Sequence, residues 1–298
     1  MFLLQLLFAV PFFMVGIFGP NIQINANSYD YILSTVNTSV WLSGAAYCGK
    51  EQYMQMQLSG PGKGFIVNDI LYDSRSDLQG YVGVLPSSKS IFVTFRGSSS
   101  VLNWLDDFEV LKIPYNTYPS CNCSVHKGFY KATLSLKNST ITAIQTLFNK
   151  YPDYKQIIFT GHSLGAAITQ LMAMEIMIYF SDKLFIDDIY VSIYNFGQPR
   201  IGDNKYAGFV NTIIDEDHFF RFTHYKDTVP HVPPIEMSYL HSCREIFEDD
   251  VGQLYSCSMI NCEDPMCSGQ FSFTQTNTED HSIYFGHNLT CKDSTIMV

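Results

Sequence analysis

The stretch that decides the fold reads Ile157-Ile158-Phe159-Thr160-Gly161-His162-Ser163-Leu164-Gly165-Ala166-Ala167. Four β-favouring residues lead into a Gly-x-Ser-x-Gly pattern, and a helix-prone apolar segment follows it. In a strand, turn and helix of this kind the serine stands at the apex of the turn, and the two glycines leave room for strand and helix to meet. The short pattern can occur by chance, but its strand-and-helix context favours a nucleophilic Ser163.

The backbone around this serine predicts an oxyanion hole. Leu164 begins the predicted helix, so its N–H lies at the positive end of the helix dipole and faces the oxygen of a carbonyl that Ser163 attacks. A second donor is expected from the loop after the buried strand 90–97, where Ser98 is the candidate. The alternative for Ser98-Ser99-Ser100 is a simple turn with solvated hydroxyls.

Length and composition indicate one α/β domain that does not bind nucleic acid. The chain has 298 residues, of which 46% are hydrophobic and 15% aromatic, and this size suits a single core. The net charge is -10 and no Lys/Arg cluster interrupts the acidic balance. A nucleic-acid partner is therefore not expected.

The N-terminus predicts secretion. Residues 2–18 are apolar except for one Gln, one Pro and one Gly, and Ala26 offers a small residue before a cleavage point. We expect a signal peptide over 1–26 and a single domain over 27–298, which places the protein outside the cell or in a secretory or lysosomal compartment. The alternative is an uncleaved anchor, because only the terminal amine is positive before the apolar run.

The cysteine content agrees with an oxidising compartment. Eight cysteines favour disulfides, and four Asn-x-Ser/Thr triplets, at Asn37, Asn122, Asn138 and Asn288, are acceptors for N-glycosylation. Zinc is the rival interpretation, but no pair has the Cys-x-x-Cys spacing of structural sites. No metal is therefore predicted for these cysteines, which are Cys48, Cys121, Cys123, Cys243, Cys257, Cys262, Cys267 and Cys291.

Predicted strands and helices alternate along the rest of the chain. This alternation indicates a mostly parallel central sheet with helices on both faces. The predicted helices cover 28–53, 101–111, 128–150 and the segment after Ser163, and the predicted strands cover 64–72, 78–85, 90–97, 157–160, 189–197 and 218–224.

The predicted helix 101–111 has an apolar stripe on one side. The stripe consists of Val101, Trp104, Leu105 and Phe108. Core packing would explain such a stripe equally well. Because the helix follows the Ser98 loop directly, we interpret it as a lid over the site.

In this kind of fold the acid and the histidine of a catalytic triad follow the nucleophile along the chain, in loops at the carboxyl edge of the sheet. Asp227 follows the predicted strand 218–224, whereas Asp203 and Asp215 remain possible on position alone. Four histidines follow Asp227, at 231, 241, 281 and 287. His281 best fits a late loop that folds back over the elbow, and His241 is expected to serve structure.

Six blocks of this sequence, in this order, resemble the fungal-type triacylglycerol lipases, the class 3 lipases of the α/β-hydrolase superfamily. The resemblance covers about 46–291, and the blocks are Phe95-Arg96-Gly97-Ser98-Ser99-Ser100 with Asn103-Trp104, Val125-His126-Lys127-Gly128-Phe129, Thr160-Gly161-His162-Ser163-Leu164-Gly165, Gly197-Gln198-Pro199-Arg200-Ile201-Gly202, Asp227-Thr228-Val229-Pro230 with Pro233-Pro234, and Asp280-His281-Ser282 with Tyr284-Phe285-Gly286.

The resemblance implies an α/β-hydrolase fold with a short helical lid around Trp104. It also implies the triad Ser163, Asp227 and His281, an oxyanion hole at Ser98 and Leu164, and a disulfide between Cys48 and Cys291. Two positions depart from the family pattern. Ala166 replaces a glycine, and Leu102 stands where well-known members carry a basic residue that helps to hold the lid open.

These observations together predict a secreted serine hydrolase of lipid esters, a triacylglycerol lipase that needs no cofactor. We expect a monomer that makes transient contact with a membrane or lipid-droplet surface. Within the same chemistry, a phospholipase A1 or an esterase of soluble feruloyl-type esters is the alternative, since the fold hosts all of them. From another class, the alternative is an inactive lipid-binding pseudo-enzyme; a peptidase fits the blocks less well.

Overall fold

The computed structural model of the chain describes residues 26–106 and 109–296. Apart from Ala26, where the first helix begins, the predicted signal peptide lies outside the described residues. The helices are α1 Ala26–Ala45, α2 Val101–Asp106, α3 Lys127–Lys150, α4 Leu164–Tyr179, α5 Ser181–Ile186, α6 Asn204–Ile213 and α7 Cys291–Ser294. The strands are β1 Gln57–Leu58, β2 Ile66–Asp73, β3 Leu78–Leu85, β4 Ser90–Phe95, β5 Lys112–Pro114, β6 Ser124–His126, β7 Gln156–His162, β8 Tyr190–Phe196, β9 Phe219–His224, β10 Glu245–Glu248, β11 Leu254–Ser256, β12 Ile283–Tyr284, β13 His287–Asn288 and β14 Thr295–Ile296.

An eight-stranded sheet forms the centre of the fold, in the order β11-β10-β9-β8-β7-β4-β3-β2. The strands from β4 to β10 in this order run parallel. Antiparallel strands flank them, with β3 and β2 on one side and β11 on the other. The prediction of a mostly parallel central sheet is confirmed.

Apolar clusters cover both faces of the sheet. Ile157 and Phe159 of β7 belong to the cluster that contains residues of α3 and α4, while Ile158 between them belongs to the cluster that contains residues of α1. Successive side chains of a strand point to opposite faces, so a strand buried on both faces is apolar throughout. This explains the unbroken run of β-favouring residues before the elbow.

The helix predicted over 101–111 is shorter than its apolar pattern suggests. The described helix α2 spans Val101–Asp106, and Glu109 to Leu111 are not helical. The pattern fails at this end because β5 pairs with β6, with Lys112 opposite His126, so the backbone must already be extended at Lys112. Phe108, the last residue of the predicted lid stripe, lies outside the described residues.

Four disulfides join the eight cysteines. They are Cys48–Cys291, Cys121–Cys123, Cys243–Cys262 and Cys257–Cys267. The first ties the segment after α1 to α7, across a sequence separation of 243. Cys257, Asp264 and Cys267 offer ligand atoms within 4.8 Å of one another, but the disulfide between the two cysteines removes the thiolates that a metal would need. No helix in the described part of the chain has the length and hydropathy to cross a membrane.

Candidate active site

The turn between β7 and α4 consists of Ser163 alone. Its φ of 60° and ψ of -131° are a strained conformation for a residue with a side chain. A Cβ at Gly165 would lie 2.2 Å from the carbonyl oxygen of Phe95, and a Cβ at Gly161 would lie 2.6 Å from the carbonyl carbon of Gly165. The elbow therefore closes against β4 only with glycine at both positions, as the sequence pattern predicts.

His281 and Asp227 form a buried pair near this elbow. Nδ1 of His281 lies 2.8 Å from Oδ2 of Asp227. A carboxylate only accepts hydrogen bonds, so Nδ1 carries the proton and Nε2 of the neutral ring is left as an acceptor. Burial would raise the pKa of Asp227, but the attraction between its carboxylate and a protonated His281, together with several hydrogen bonds, outweighs burial and lowers that pKa below its ordinary value. Asp227 is thus kept as a carboxylate.

The hydroxyl of Tyr284 is a second donor to the same carboxylate. It donates to Oδ2 of Asp227 at 2.5 Å, while the backbone N–H of Val229 donates to Oδ1 at 2.8 Å. Tyr284 lies in one of the sequence blocks, but no role is predicted for it from the sequence. Its contact depends on the short turn from His281 into β12, which a sequence pattern does not specify.

Replacing Tyr284 with phenylalanine is expected to lower kcat/KM about tenfold with little change in KM. A hydrogen bond to a charged group contributes about 1.5–3 kcal/mol, and its loss leaves the Asp227 carboxylate, and the His281 ring that it orients, less firmly positioned. Without the Tyr284 donor the carboxylate also pairs more strongly with a protonated His281 before the reaction begins. The acid limb of the kcat/KM–pH profile should therefore move to higher pH, which a purely structural role would not cause.

The control is Tyr115→Phe. Tyr115 is buried and its hydroxyl has no hydrogen-bond partner among the described residues, so its removal should leave rate and pH profile unchanged. An unaltered profile in Tyr284→Phe would show that the Tyr284 hydroxyl does not act on the triad.

The side chains of the candidate nucleophile and the candidate base are both buried, and each has a polar atom that makes no hydrogen bond. Within the described residues, Oγ of Ser163 and Nε2 of His281 have no hydrogen-bond partner. Unpaired buried polar atoms are costly, and they are found where a substrate completes the bonding. Catalytic hydrogen bonds are often long in an unliganded site and tighten when the substrate binds.

The loop after β4 passes directly beside Ser163. A Cβ at Gly97 would lie 3.0 Å from the Cβ of Ser163, and the partly buried Ser98 follows it. Leu164 is the first residue of α4, where an N–H has no carbonyl within the helix to bond. Both predicted oxyanion residues therefore belong to segments that meet at Ser163.

His162 contacts the backbone of His281, a role that is not predicted from the sequence. Its Nε2 lies 2.8 Å from the backbone carbonyl oxygen of His281, and its Nδ1 lies 2.7 Å from the hydroxyl of Tyr47. Because a carbonyl only accepts, Nε2–H donates and Nδ1 accepts from Tyr47. Burial, and then the charge of His281, hold the pKa of His162 well below its ordinary value. A neutral His162 thus fixes the backbone of His281.

A groove of about 670 Å³ adjoins Leu164 and runs beneath α2. Trp104 of α2 stacks on Phe129, with ring centroids 6.4 Å apart and an interplanar angle of 20°. Val101 and Leu105 are half-buried, and Leu102 is 61% exposed. The helix therefore lies over the groove with part of its apolar surface covered.

His126 connects the segment after α2 to the start of α3. Its Nδ1 accepts from the backbone N–H of Phe129 at 3.2 Å, which leaves Nε2–H to donate to the backbone carbonyl of Glu109. Burial lowers the pKa of His126. The carboxyl end of the predicted lid is thus fixed to the wall of the groove.

Four of the rival triad candidates make structural contacts. Asp203 caps α6 through the N–H of Tyr206, and Asp215 accepts from the N–H of Asp217 in its own turn. Nε2 of His241 lies 2.8 Å from the carbonyl oxygen of Pro230. The ring of His287 stacks on Trp41, with centroids 3.8 Å apart.

The known proteins to which this chain is similar are lipases. A family model described as "Lipase (class 3)" matches residues 92–237. A lipase of Rhizomucor miehei is 32% identical over 203 residues, which are 68% of this chain and 53% of that protein. The secreted mono- and diacylglycerol lipase 1 of Fusarium solani is 28% identical over 232 residues, which are 76% of this chain and 65% of that protein. The chain thus spans between about half and two thirds of the length of these curated relatives.

A solved structure agrees with these relatives. The native propeptide complex of the Rhizomucor miehei lipase superposes with a TM-score of 0.76 at 27% identity, over 87% of this chain and 82% of that chain. The similarity therefore extends well beyond the residues that the family model matches.

Proposed function

This chain belongs to the class 3 lipase family and has the α/β-hydrolase fold, and from that premise we propose that it is a secreted triacylglycerol lipase with the triad Ser163, Asp227 and His281. The buried His281–Asp227 pair beside the strained elbow is the observation that carries the proposal. The names of the relatives support lipid esters as the substrate class.

The reaction follows from the roles of these atoms. Oγ of Ser163 attacks the ester carbonyl carbon while Nε2 of His281 takes the hydroxyl proton, and Asp227 stabilises the imidazolium that forms. The N–H groups of Ser98 and Leu164 bind the oxyanion of the tetrahedral intermediate. His281 returns the proton to the leaving alcohol. Water, activated by the same ring, then cleaves the acyl-enzyme and releases the fatty acid. The steps require no metal or organic cofactor.

The groove beneath α2 supports a lipid acyl chain as the group that is bound. It adjoins Leu164, and Trp104 and Phe129 give it an apolar lining beside the proposed oxyanion hole. Pockets of this volume and lining bind apolar groups of substrates. In aqueous solution the apolar side of α2 would be buried against the groove, whereas at an oil surface it can contact the oil instead. A lipid–water interface therefore favours the open state of the lid.

The test of the lipid-operated lid is the initial rate against tributyrin concentration, measured through its solubility limit. We expect a sharp rise at the limit, because a few hundred Å² of apolar surface at about 25 cal/mol per Å² supplies several kcal/mol for opening. Leu102 provides no charge to hold the open helix, so Trp104→Ser should remove most of the rise.

The matched control is Ile186→Ser. Ile186 is 76% exposed on α5, at the other end of α4 from Ser163, so its loss should leave the rise intact. Smooth saturation in the wild type would contradict the lid and favour an esterase of soluble substrates. A higher rate on phospholipid than on triglyceride would favour a phospholipase A1, and no turnover of any ester would favour the lipid-binding pseudo-enzyme.

We also propose that residues 1–26 are a signal peptide and 27–298 one domain that acts as a secreted monomer with transient contact to lipid surfaces. The apolar N-terminal run, the disulfides and the word "secreted" in the name of the Fusarium solani relative support secretion. The N-terminal residue of protein collected from the culture medium tests this directly.

A further inference from the structure

A second cavity lies next to the loop that carries Asp227, and the proposed reaction does not use it. Its volume is about 260 Å³. It is formed where β9 and β10 end at the carboxyl edge of the sheet, by the loop after β9 and by segments on both sides of the Cys257–Cys267 disulfide. We call it the aromatic pocket, and its lining includes Tyr225, Phe247, Tyr255, Phe271, Asp249 and Asp250.

The four rings form one continuous wall. Tyr225 meets Phe271 edge to face, with centroids 5.4 Å apart and an interplanar angle of 80°. Phe271 lies 6.5 Å from Phe247, and Phe247 lies 6.2 Å from Tyr255. The wall is fixed in place, because Phe247 and Tyr255 are paired across β10 and β11 and the N–H of Tyr225 donates to the carbonyl oxygen of Glu248 at 2.7 Å.

Two carboxylates stand at the rim of this wall. Asp249 is held by the N–H groups of Val251 and Gln253 and by the hydroxyl of Tyr255, at 3.0, 2.8 and 3.1 Å. Asp250 beside it is exposed. The faces of aromatic rings and carboxylates both attract positive charge. An anionic ligand would be repelled here, and an apolar ligand would desolvate the carboxylates without compensation.

The chain itself already places a cation on the wall. Nζ of Lys226 lies 4.9 Å from the ring centroid of Tyr225 and 5.7 Å from that of Phe271. Both distances are within the range of cation–π attraction. This contact is independent of the carboxylates, and it shows that these two rings hold an ammonium group, although Lys226 itself is not among the residues that line the pocket.

We propose that the aromatic pocket binds a small methylated ammonium group, the chemistry of free choline and of choline lipid headgroups. Aromatic walls with acidic rims are suited to such cations, because the methyl groups pack on the rings while the charge is balanced by the carboxylates. The pocket adjoins the Asp227 loop but takes no part in ester cleavage. Its occupant is therefore separate from the acyl chain in the larger groove.

The test uses the Ser163→Ala protein, so that turnover does not interfere with binding. Calorimetric titration with choline chloride at constant ionic strength should give saturable binding with a Kd on the order of 1 mM. Tyr255→Leu and Asp250→Asn should each weaken binding about three- to tenfold, the size of one cation–π contact or one charge at a partly exposed site. Lys226→Met should strengthen binding several-fold, because it removes a positive charge that lies beside two of the lining rings.

Tyr72→Leu is the matched control. Tyr72 carries the ammonium of Lys50 at 4.2 Å from its ring centroid but lies on the open sheet edge, outside the pocket. Its loss should not change choline binding. Heats equal to those of potassium chloride would overturn the proposal, and so would a Lys226→Met protein that binds no tighter. The Lys226 variant keeps the test valid if Tyr255→Leu does not fold.

A vesicle-binding experiment distinguishes a choline lipid headgroup from a soluble choline-like cation as the natural ligand. Retention of the Lys226→Met protein on phosphatidylcholine vesicles but not on phosphatidylglycerol vesicles, with release by free choline, assigns a lipid headgroup. Choline binding without vesicle retention assigns a soluble cation. Because these measurements need no turnover, they can succeed in a protein that hydrolyses no ester, and the two proposals can fail separately.

Discussion

Replacing Ser163 with alanine is expected to lower kcat by about 10⁵- to 10⁶-fold and to leave the protein folded. Related triads lose about that much when the serine is removed, because both the acyl-enzyme and its general-base activation disappear together. The elbow should persist, since alanine carries the same Cβ in the same strained conformation. The Oγ that is removed has no hydrogen bond to lose within the described residues.

The measurement is steady-state release of fatty acid from tributyrin, with unfolding by urea as the check on the fold. Ser39→Ala is the matched control, because Ser39 is also buried and its hydroxyl also lacks a partner among the described residues. Its kcat should equal that of the wild type. Turnover of Ser163→Ala within tenfold of the wild type would reject Ser163 as the nucleophile.

The elbow is local, and this explains why it could be predicted from the sequence. Strand, glycines, serine and helix are contiguous over eleven residues, and each has a steric reason for its place. The loop bearing Asp227 was found for a related reason, since residues that follow parallel strands collect at one edge of the sheet. The parallel order of β7, β8 and β9 provides that edge.

The supporting residues could not be predicted because their contacts join distant segments. Tyr47 and His162 are separated by 115 residues in sequence, and His162 and the carbonyl of His281 by 119. The hydrophobic periodicity of a sequence does not predict contacts between segments so far apart. The carboxyl end of the 101–111 helix was missed for the same reason, because the pairing of β5 with β6 overrode a helical pattern.

Some of the disulfides could be predicted from the sequence and others could not. Eight cysteines allow 105 connectivities, and the sequence favours only one local choice, Cys267 over Cys262 as the partner of Cys257, which the structure confirms. The Cys48–Cys291 bridge could be anticipated only through the family resemblance. The Cys121–Cys123 bridge, which spans a sequence separation of 2, had no precedent in the reasoning from spacing.

The segment after Asp227 shows how the fold supports the proposed triad. Arg200 donates to Glu263 at 2.8 Å and to the backbone carbonyl of Pro233 at 3.0 Å. Glu263 also accepts from the backbone N–H of His241 at 2.8 Å. The Cys243–Cys262 disulfide ties the neighbour of Glu263 to the segment that carries His241. Replacing a residue of this group of contacts should change the free energy of unfolding rather than kcat.

His281→Ala and His241→Ala should therefore give opposite phenotypes. His281→Ala is expected to lower kcat by about 10⁵- to 10⁶-fold, because Nε2 of His281 is the proposed acceptor of the Ser163 proton. Its stability should change little, since the Asp227 carboxylate keeps the hydrogen bonds from Tyr284 and Val229. His241→Ala should keep kcat per folded molecule but lose about 1–3 kcal/mol of unfolding free energy, because the carbonyl of Pro230 stays buried without its donor. Urea unfolding and the rate on tributyrin, measured on the same preparations, separate the two effects. A stable but inactive His241→Ala protein beside an active His281→Ala protein would transfer the proposed base to His241.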